Sequence, residues 1–573
     1  MIKKIILFLA IALLAIVLGF SLPDQWLSPA FHYSGYYFML FAFVLWGALI
    51  LDVLKNNFLT NIKQHIPALL FAIVLMVLIF HISPPKFKIL ADETNLVSVS
   101  MAMHQNKTAS MPLQGLAVEY YPFDYDQSVD QRPLLYPFII SLFHAFIGYS
   151  PFNGMAVNFV AGIGILFALY LLFFHMFSKF YGIVAMIIMA SFPIFIFWVT
   201  SSGFETINLF FIMIVLLALI LFLRHKDVEY AEIVLFSLVL LANCRYESII
   251  FFFSLIILAP YFLNTEIMKK YRFPTFCIPL LFLPSAWQRQ IIFFNASIWS
   301  PDGVKTPDQT FGLSNFLHNF SPNVFSLTGL NADFGFILLI FIAAVAGIYL
   351  AGKTLLLQPY SINPADKAFG LYVSLSGFLL FALYTSFFWG HFTTDIDNRL
   401  AMSLLPFIII PSVYCIYRIF HYKFSSAKNL LLFLLLVQML YYWPIAADHH
   451  ILKQNNFHYI NNRITQYLYK NHDIKNEKLL LISDRANFYI IHGIGSICFK
   501  EATRQRKKIN YLANVYYDQI LVIQKCNLFT DEVFPADRLK KEFQLNEIAQ
   551  INISPKYYFR ISEVIFYAPP HSQ

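Results

Sequence analysis

The sequence predicts a polytopic α-helical membrane protein of about thirteen transmembrane helices, with a large outer amphipathic loop and a small C-terminal α/β domain outside the membrane. Three observations carry that prediction. The chain of 573 residues is 58% hydrophobic and only 13% charged, with a mean hydropathy of +0.62, which excludes a soluble globular class. Its apolar residues gather into segments long enough to cross a bilayer, with basic residues in alternate connections between them. After Ala447 the composition turns polar, and short β-type runs replace the long apolar ones.

The first apolar segment, MIKK followed by apolar residues to Phe20, is built like a secretory signal. No small-x-small cleavage site precedes Ser21, so it reads as an uncleaved span. Further candidate spans run over 36–54, 66–82, 152–177, 181–200, 204–223, 230–244, 248–264, 273–293, 335–351, 368–388, 399–419 and 429–446. With Lys3 and Lys4 inside, the inner loops carry Lys55, Lys63, Lys179, Arg224, Lys269, Arg272, Lys353, Lys367, Arg418 and Lys428, as the positive-inside rule requires. The same parity puts residues 83–151, 294–334, 389–398 and everything after about 447 outside. It holds only if Leu134–Gly148, begun by Pro133, is an interfacial or re-entrant helix. The domains are then 1–447, with 83–151 as the first large outer loop, and 448–573.

That outer loop is the centre of interest. Asp92 and Glu93 follow the apolar Ile89-Leu90, and Leu96, Val99 and Met103 fall on one helical face, which predicts a helix along the membrane surface with a carboxylate pair at its start. A carboxylate in hydrocarbon costs roughly 2.5 to 3.5 kcal/mol on insertion scales, so the pair belongs at the water boundary, facing a cavity. No span carries a charge near its centre, against an ion-coupled transporter with a midplane site. The exceptional charges gather at outer ends instead: Glu205, then Arg245 and Glu247 in CRYES, then Asp395, Asp397 and Arg399 in TDIDNRL. Taken singly they read as helix-end charges or snorkelling anchors. Their convergence on the side of Asp92 points to a site. Tyr120 and Tyr121 offer rings on which a sugar can stack, and His391, beside Trp389, is either a substrate contact or an interfacial residue.

Other classes find little support. The net charge of +8 is spread over short loops, which orientation explains better than nucleic acid does. The five cysteines form no C-x-x-C pair, no H-E-x-x-H is present, and no Walker sequence occurs; GIGS at 493–496 is too short for a dinucleotide loop. Cys498 and Cys526 either pair or remain two free buried thiols. No metal site is assigned and no cofactor is certain, although Asp92, Glu93, Asp124, Asp126 and Asp130 could hold a divalent cation through oxygen ligands. In the tail, LLLIS (479–483), SICF (496–499), QILVIQ (519–524), 543–553 and 557–567 read as strands, with a helical pattern over EATRQRKKINYLANVY.

The acidic pair Asp92-Glu93, the R-P-L-L-Y-P element at Arg132–Pro137, Arg245 at the outer end of a middle span, and N-R-L-x-x-x-L-L-P at Asn398–Pro406 together resemble the glycosyltransferase C superfamily. Within it, the resemblance is to protein O-mannosyltransferase-like and aminoarabinose-transferase-like bacterial enzymes, over most of residues 66–420 plus the tail. R-P-L-L replaces the usual P-P-L, which leaves Arg132 as either a substrate contact or an anchor of the re-entrant helix. The resemblance implies an inverting transfer of a sugar from a polyprenyl phosphate to an acceptor that is a glycan, a lipid or a protein. Asp92 would be the general base and Glu93 its helper, with Arg245 and Arg399 on the donor phosphate and Arg132, Tyr120, Tyr121, Glu247, His391 and Asp395 as further substrate contacts. It also implies a bacterial inner membrane with site and tail facing the periplasm, and membrane lipids but no nucleic acid as partners. A flippase or transporter of lipid-linked sugars is the alternative, and an accessory scaffold the third class.

Overall fold

The computed structural model describes residues 2–55, 62–88, 91–118, 121–294, 310–330, 337–357, 363–393, 397–422, 427–447, 457–473, 478–539 and 543–565. Contacts divide the chain into two units: Met1–Lys86 with Gln131–Ile139 and Gly154–His449, and Phe87–Asp130 with Ile140–Asn153 and His450–Gln573.

The first unit is helical. It contains α1 (Ile2–Phe20), α2 (Asp24–Val53) and α3 (Ile66–Ile82), then α6 (Asn153–Met176), α7 (Lys179–Ser191), α8 (Pro193–Val199), α9 (Glu205–His225) and α10 (Val228–Ala242). Further helices at Leu338–Leu357, Pro364–Ser386, Leu405–Tyr422 and Lys428–Ala447 follow broken helical turns between Tyr246 and Phe294. All thirteen apolar segments thus carry helix. The expected count of about thirteen spans is nevertheless too high for what length supports. Seven helices among the described residues are long and apolar enough to cross, or eight if α7 and α8 are one span bent by 74°. The bend has a local cause: Phe192 is extended (φ −72°, ψ 118°) because the ring of Pro193 disfavours helical backbone in the residue before it. The segment 248–264 is broken into short α and 3-10 turns, and α10 has only 15 residues. α9 and α10 form a tight hairpin, since Lys226 ends α9 in the left-handed conformation (φ 62°) and Asp227 leads into α10.

The second unit is α/β. A seven-stranded sheet runs in the order β2-β1-β4-β3-β5-β7-β6, with β1 Met111–Val118, β2 Tyr121–Ser128, β3 Leu479–Ile482, β4 Gly495–Ile497, β5 Gln519–Asn527, β6 Gln544–Asn552 and β7 Tyr557–Ile565. The central β4-β3-β5 pairings are parallel and the outer ones antiparallel. Parallel strands covered on both faces read as continuous apolar runs, which is why LLLI and QILVIQ stand out in sequence. Along β3, Leu479 and Leu481 face a cluster with Ile460, Ile464 and Leu468 of helix Phe457–Asn471, while Leu480 and Ile482 face Ile509 and Leu512 on the other side. All five strands expected in the tail are present.

Two expectations about the outer loop are corrected. The division at residue 447 assigns that loop to the membrane helices, yet β1 pairs with β4 at Gly115↔Ser496, and the side chain of Gln114 accepts from the Cys498 N–H at 2.9 Å. A hairpin nearly four hundred residues upstream therefore extends the C-terminal sheet. The helix at Asp92 is present as α4 (Ala91–Gln105), but it is no surface helix: every residue from Glu93 to Met103 is buried. Several of its polar residues are satisfied within the unit, whereas the buried Nδ1 of His104 in its last turn has no hydrogen-bond partner among the described residues. Ser98 Oγ donates to the Pro112 carbonyl (2.8 Å), and Asn487 donates to Asn95 Oδ1 (2.7 Å) from the short helix Ala486–Ile490.

The apolar segment at Leu134–Gly148 is α5 (Leu135–Ile147), 13 residues and too short to cross. In its second half, His144 lies between Ser100 Oγ (3.0 Å from Nε2) and Asn153 Nδ2 (2.9 Å from Nδ1). Ser100 gives its proton to the Val97 carbonyl and Asn153 Nδ2 is a donor, so the network assigns the neutral ring with its proton on Nε2. Burial, reinforced by neighbouring His104, lowers the His144 pKa to about 4. The five cysteines are free, so Cys498 and Cys526 are separate thiols.

Candidate active site

Two arginines expected in the helical unit, Arg245 and Arg399, converge on one carboxylate. Glu205 opens α9 and is 1% exposed; its Oε1 lies 3.9 Å from Arg245 Nη1 and 3.6 Å from Arg399 Nη1. Arg245 Nη2 in turn holds Glu247 Oε1 at 2.5 Å. The guanidinium of Arg245 also sits 4.9 Å from the centroid of Phe204 and 5.9 Å from that of Tyr384.

Local sequence explains how Glu205 comes to be there. The SSG turn after α8 is tied by Ser201 Oγ, which donates to the Trp198 carbonyl (2.7 Å) and accepts from the Gly203 N–H (3.1 Å). Asn158 clamps the same turn by donating to the carbonyls of Ser201 and Gly203. A Cβ at residue 203 would collide with Glu205 Oε2, so only glycine lets the carboxylate fold back over the turn. One turn along α9, Asn208 donates to Ser403 Oγ (2.9 Å) and accepts from Ser248 Oγ (2.7 Å). Trp198 Nε1 donates to Asn398 Oδ1 (3.1 Å). The two segments that bear Arg245 and Arg399 are thereby pinned to the α8–α9 junction.

Sequence reasoning placed Arg245, Glu247 and Arg399 in the site and flagged Glu205, and the structure brings these four together. It missed Asn208, which carries no charge and lies inside an apolar run, and it missed Arg289. The latter stacks 4.0 Å over the ring of Tyr246, whose hydroxyl donates to Gln288 Oε1 (2.7 Å). Gln288 in turn donates to the carbonyl of Arg132 (2.9 Å), so the R-P-L-L element is fastened beside the CRYES turn through its backbone. The signal for Arg289 was available as the only charge in SAWQRQ, near the end of an apolar segment.

The remaining expected residues lie elsewhere. His391 packs on His318 of the helix Leu313–Leu327, with ring centroids 5.1 Å apart, and its Nδ1 is 3.2 Å from Thr393 Oγ1. Tyr120 and Asp395 fall outside the described residues, and of Tyr121 only the backbone, in β2, is described. In the α/β unit, Asp92 is half-buried in the first turn of α4. Glu93 is 4% exposed and its Oε2 accepts from the Lys88 N–H at 2.6 Å, so it holds the approach to the helix. Among the described residues no group of three or more His, Cys, Asp or Glu side chains converges as metal ligands, and the side chains of Asp124 and Asp126 are not among them.

A family profile described as dolichyl-phosphate-mannose-protein mannosyltransferase matches residues 131–287, which include Arg132, Glu205, Arg245 and Glu247. Among solved structures, ArnT from Cupriavidus metallidurans bound to undecaprenyl phosphate superposes with a TM-score of 0.51 at 9% identity, covering 88% of this chain and 98% of that one. The chain has the glycosyltransferase C fold. The oligosaccharyltransferase of Archaeoglobus fulgidus in its apo form matches at a TM-score of 0.44 and 13% identity, over 81% of this chain and 70% of that one. The mycobacterial arabinofuranosyltransferase AftD matches at 0.48 and 13% identity, over 87% and 41%. No curated protein sequence matches the chain. In this glycosyltransferase C fold the residues matched by the profile supply three of the four members of the Glu205 cluster, and Arg399 adds the fourth from outside it.

Proposed function

We propose that this chain is a membrane glycosyltransferase that moves a sugar from a polyprenyl phosphate to an acceptor hydroxyl on the periplasmic face of a bacterial inner membrane. The observation that carries the reading is the pair of guanidiniums, Arg245 and Arg399, meeting at one buried carboxylate inside this fold. Two fixed forks of N–H donors suit a phosphate, which gathers negative charge as the sugar departs. Arg399 is 19% exposed and Glu247 23%, against 5% for Arg245 and 1% for Glu205, so an anion reaches the cluster from the Arg399 and Glu247 side.

Asp92 then takes the proton of the acceptor hydroxyl as that oxygen attacks the anomeric carbon from the face opposite the phosphate, which inverts the centre. Glu93 accepts from the Lys88 N–H and serves to hold α4, so the base role falls to Asp92 in this reading. The test is to incubate the purified protein with undecaprenyl-phosphate sugars and candidate glycan, lipid and protein acceptors, and to follow undecaprenyl phosphate. Release that depends on an acceptor is expected; donor binding with no release under any acceptor would favour a transporter of the lipid-linked sugar.

A further inference from the structure

We infer that Glu205 is a built-in counter-anion that keeps the arginine pair from holding the phosphate product too tightly. The inference rests on the glycosyltransferase reading and concerns what happens after the sugar has left.

The geometry of Glu205 is unusual for a buried acid. It is 1% exposed, and neither carboxylate oxygen accepts a hydrogen bond. The guanidinium nitrogens facing it, Arg245 Nη1 and Arg399 Nη1, stand off at 3.9 and 3.6 Å, too far to bond. Arg245 is 5% exposed, and both its Nε and its Nη1 lack hydrogen-bond partners. A buried donor or acceptor without a partner is costly, so donors left open beside an accessible face are donors kept for a ligand. Glu205 neutralises the arginines without consuming their hydrogen bonds. The glycine at 203 leaves room for the carboxylate in that stand-off position, and Asn158 fixes the turn beneath it.

Charge decides what this does to the ligand. In the transfer, a bond forms between the acceptor oxygen and the anomeric carbon while the bond from that carbon to the phosphate oxygen breaks. The electron pair stays on the phosphate, and the acceptor proton passes to Asp92. A phosphodiester with one negative charge thus becomes a phosphomonoester, whose second proton leaves near pH 6, so that at neutral pH most of the product carries close to two charges. An unopposed pair of arginines would bind that product more tightly than the donor. A fixed like charge beside the phosphate disfavours the extra negative charge and lowers product affinity more than donor affinity. Glu247, already bonded to Arg245 on the open side, keeps that guanidinium oriented.

The experiment measures binding of undecaprenyl phosphate to the detergent-solubilised full-length protein, together with first-turnover and steady-state rates. Glu205→Gln preserves shape and removes the charge. Tighter product binding is expected, on the order of tenfold or more, with a steady-state rate that falls while the first turnover is much less affected. Glu205→Asp keeps the charge but draws it back by one methylene, so a smaller tightening in the same direction is expected; it serves alone if the Gln variant does not fold. Equal or weaker binding in the folded variants overturns the counter-anion role and makes Glu205 a scaffold for the arginines. Failure of the wild-type protein to bind undecaprenyl phosphate overturns the glycosyltransferase reading itself.

Discussion

The two candidate catalytic regions bury charge in opposite ways. In α4 the buried acid is satisfied: Glu93 accepts from the Lys88 N–H, and the helix around it spends Asn95, Ser98 and Ser100 on hydrogen bonds to its own unit. In the arginine cluster, buried polar atoms are left without hydrogen bonds on both Glu205 and Arg245. Among the described residues of α4 the one such atom is His104 Nδ1. Satisfied polar groups fix a geometry, and buried polar atoms left open on both members of an ion-pair cluster call for an explanation. Under the proposed function, this difference fits a carboxylate helix that positions a reacting group and a cluster that takes up an anion.

The sharpest way to break that contrast is at Asp92. Asp92→Asn retains size and capping ability but cannot take a proton, so turnover should fall by about 10² to 10⁴-fold with donor binding intact. Glu93→Gln should be milder in chemistry and should show as lost protein stability, because it weakens the Lys88 contact. Comparable turnover of Asp92→Asn and wild type would remove α4 from the chemistry altogether. A smaller effect is expected at the cluster. Arg245→Lys or Arg399→Lys keeps the charge and loses the fork, so donor affinity measured by titration should weaken by about tenfold or more at unchanged protein abundance. Unchanged affinity in both variants would make them anchors.

The smallest effect probes the hydrogen bonds that hold α4 against α5. His144 faces Ser100, Asn153, His104 and Tyr149. Its pKa is lowered, so the unfolded chain takes up a proton near pH 6.5 while the folded ring stays neutral to about pH 4. Stability is therefore expected to fall as pH drops from about 6.5 to about 4 and to level off below that. The Nδ1 proton would oppose the Asn153 amide, which is itself a donor. Thermal melts across this range should lose most of that slope in His144→Gln; an unchanged slope would place the titration elsewhere.

The sequence by itself determined the helical membrane class, the apolar segments and the five tail strands, because each rests on a local period or an uninterrupted apolar run. It also located Arg245, Glu247 and Arg399, since a charge at the end of an apolar segment is visible without partners. Only the tertiary structure decided that residues 111–128 join the tail's sheet: MPLQGLAV and YPFDYDQS have no strong alternation, and their pairing partner lies far along the chain. It alone showed α4 to be buried all round, because Asn95, Ser98 and Ser100 read as a solvent face until the groups that receive their hydrogen bonds are known. The same holds for Glu205 and Asn208. One is shared between two arginines and the other pins two distant segments, and such roles belong to contacts between residues forty to two hundred positions apart, which no local pattern records.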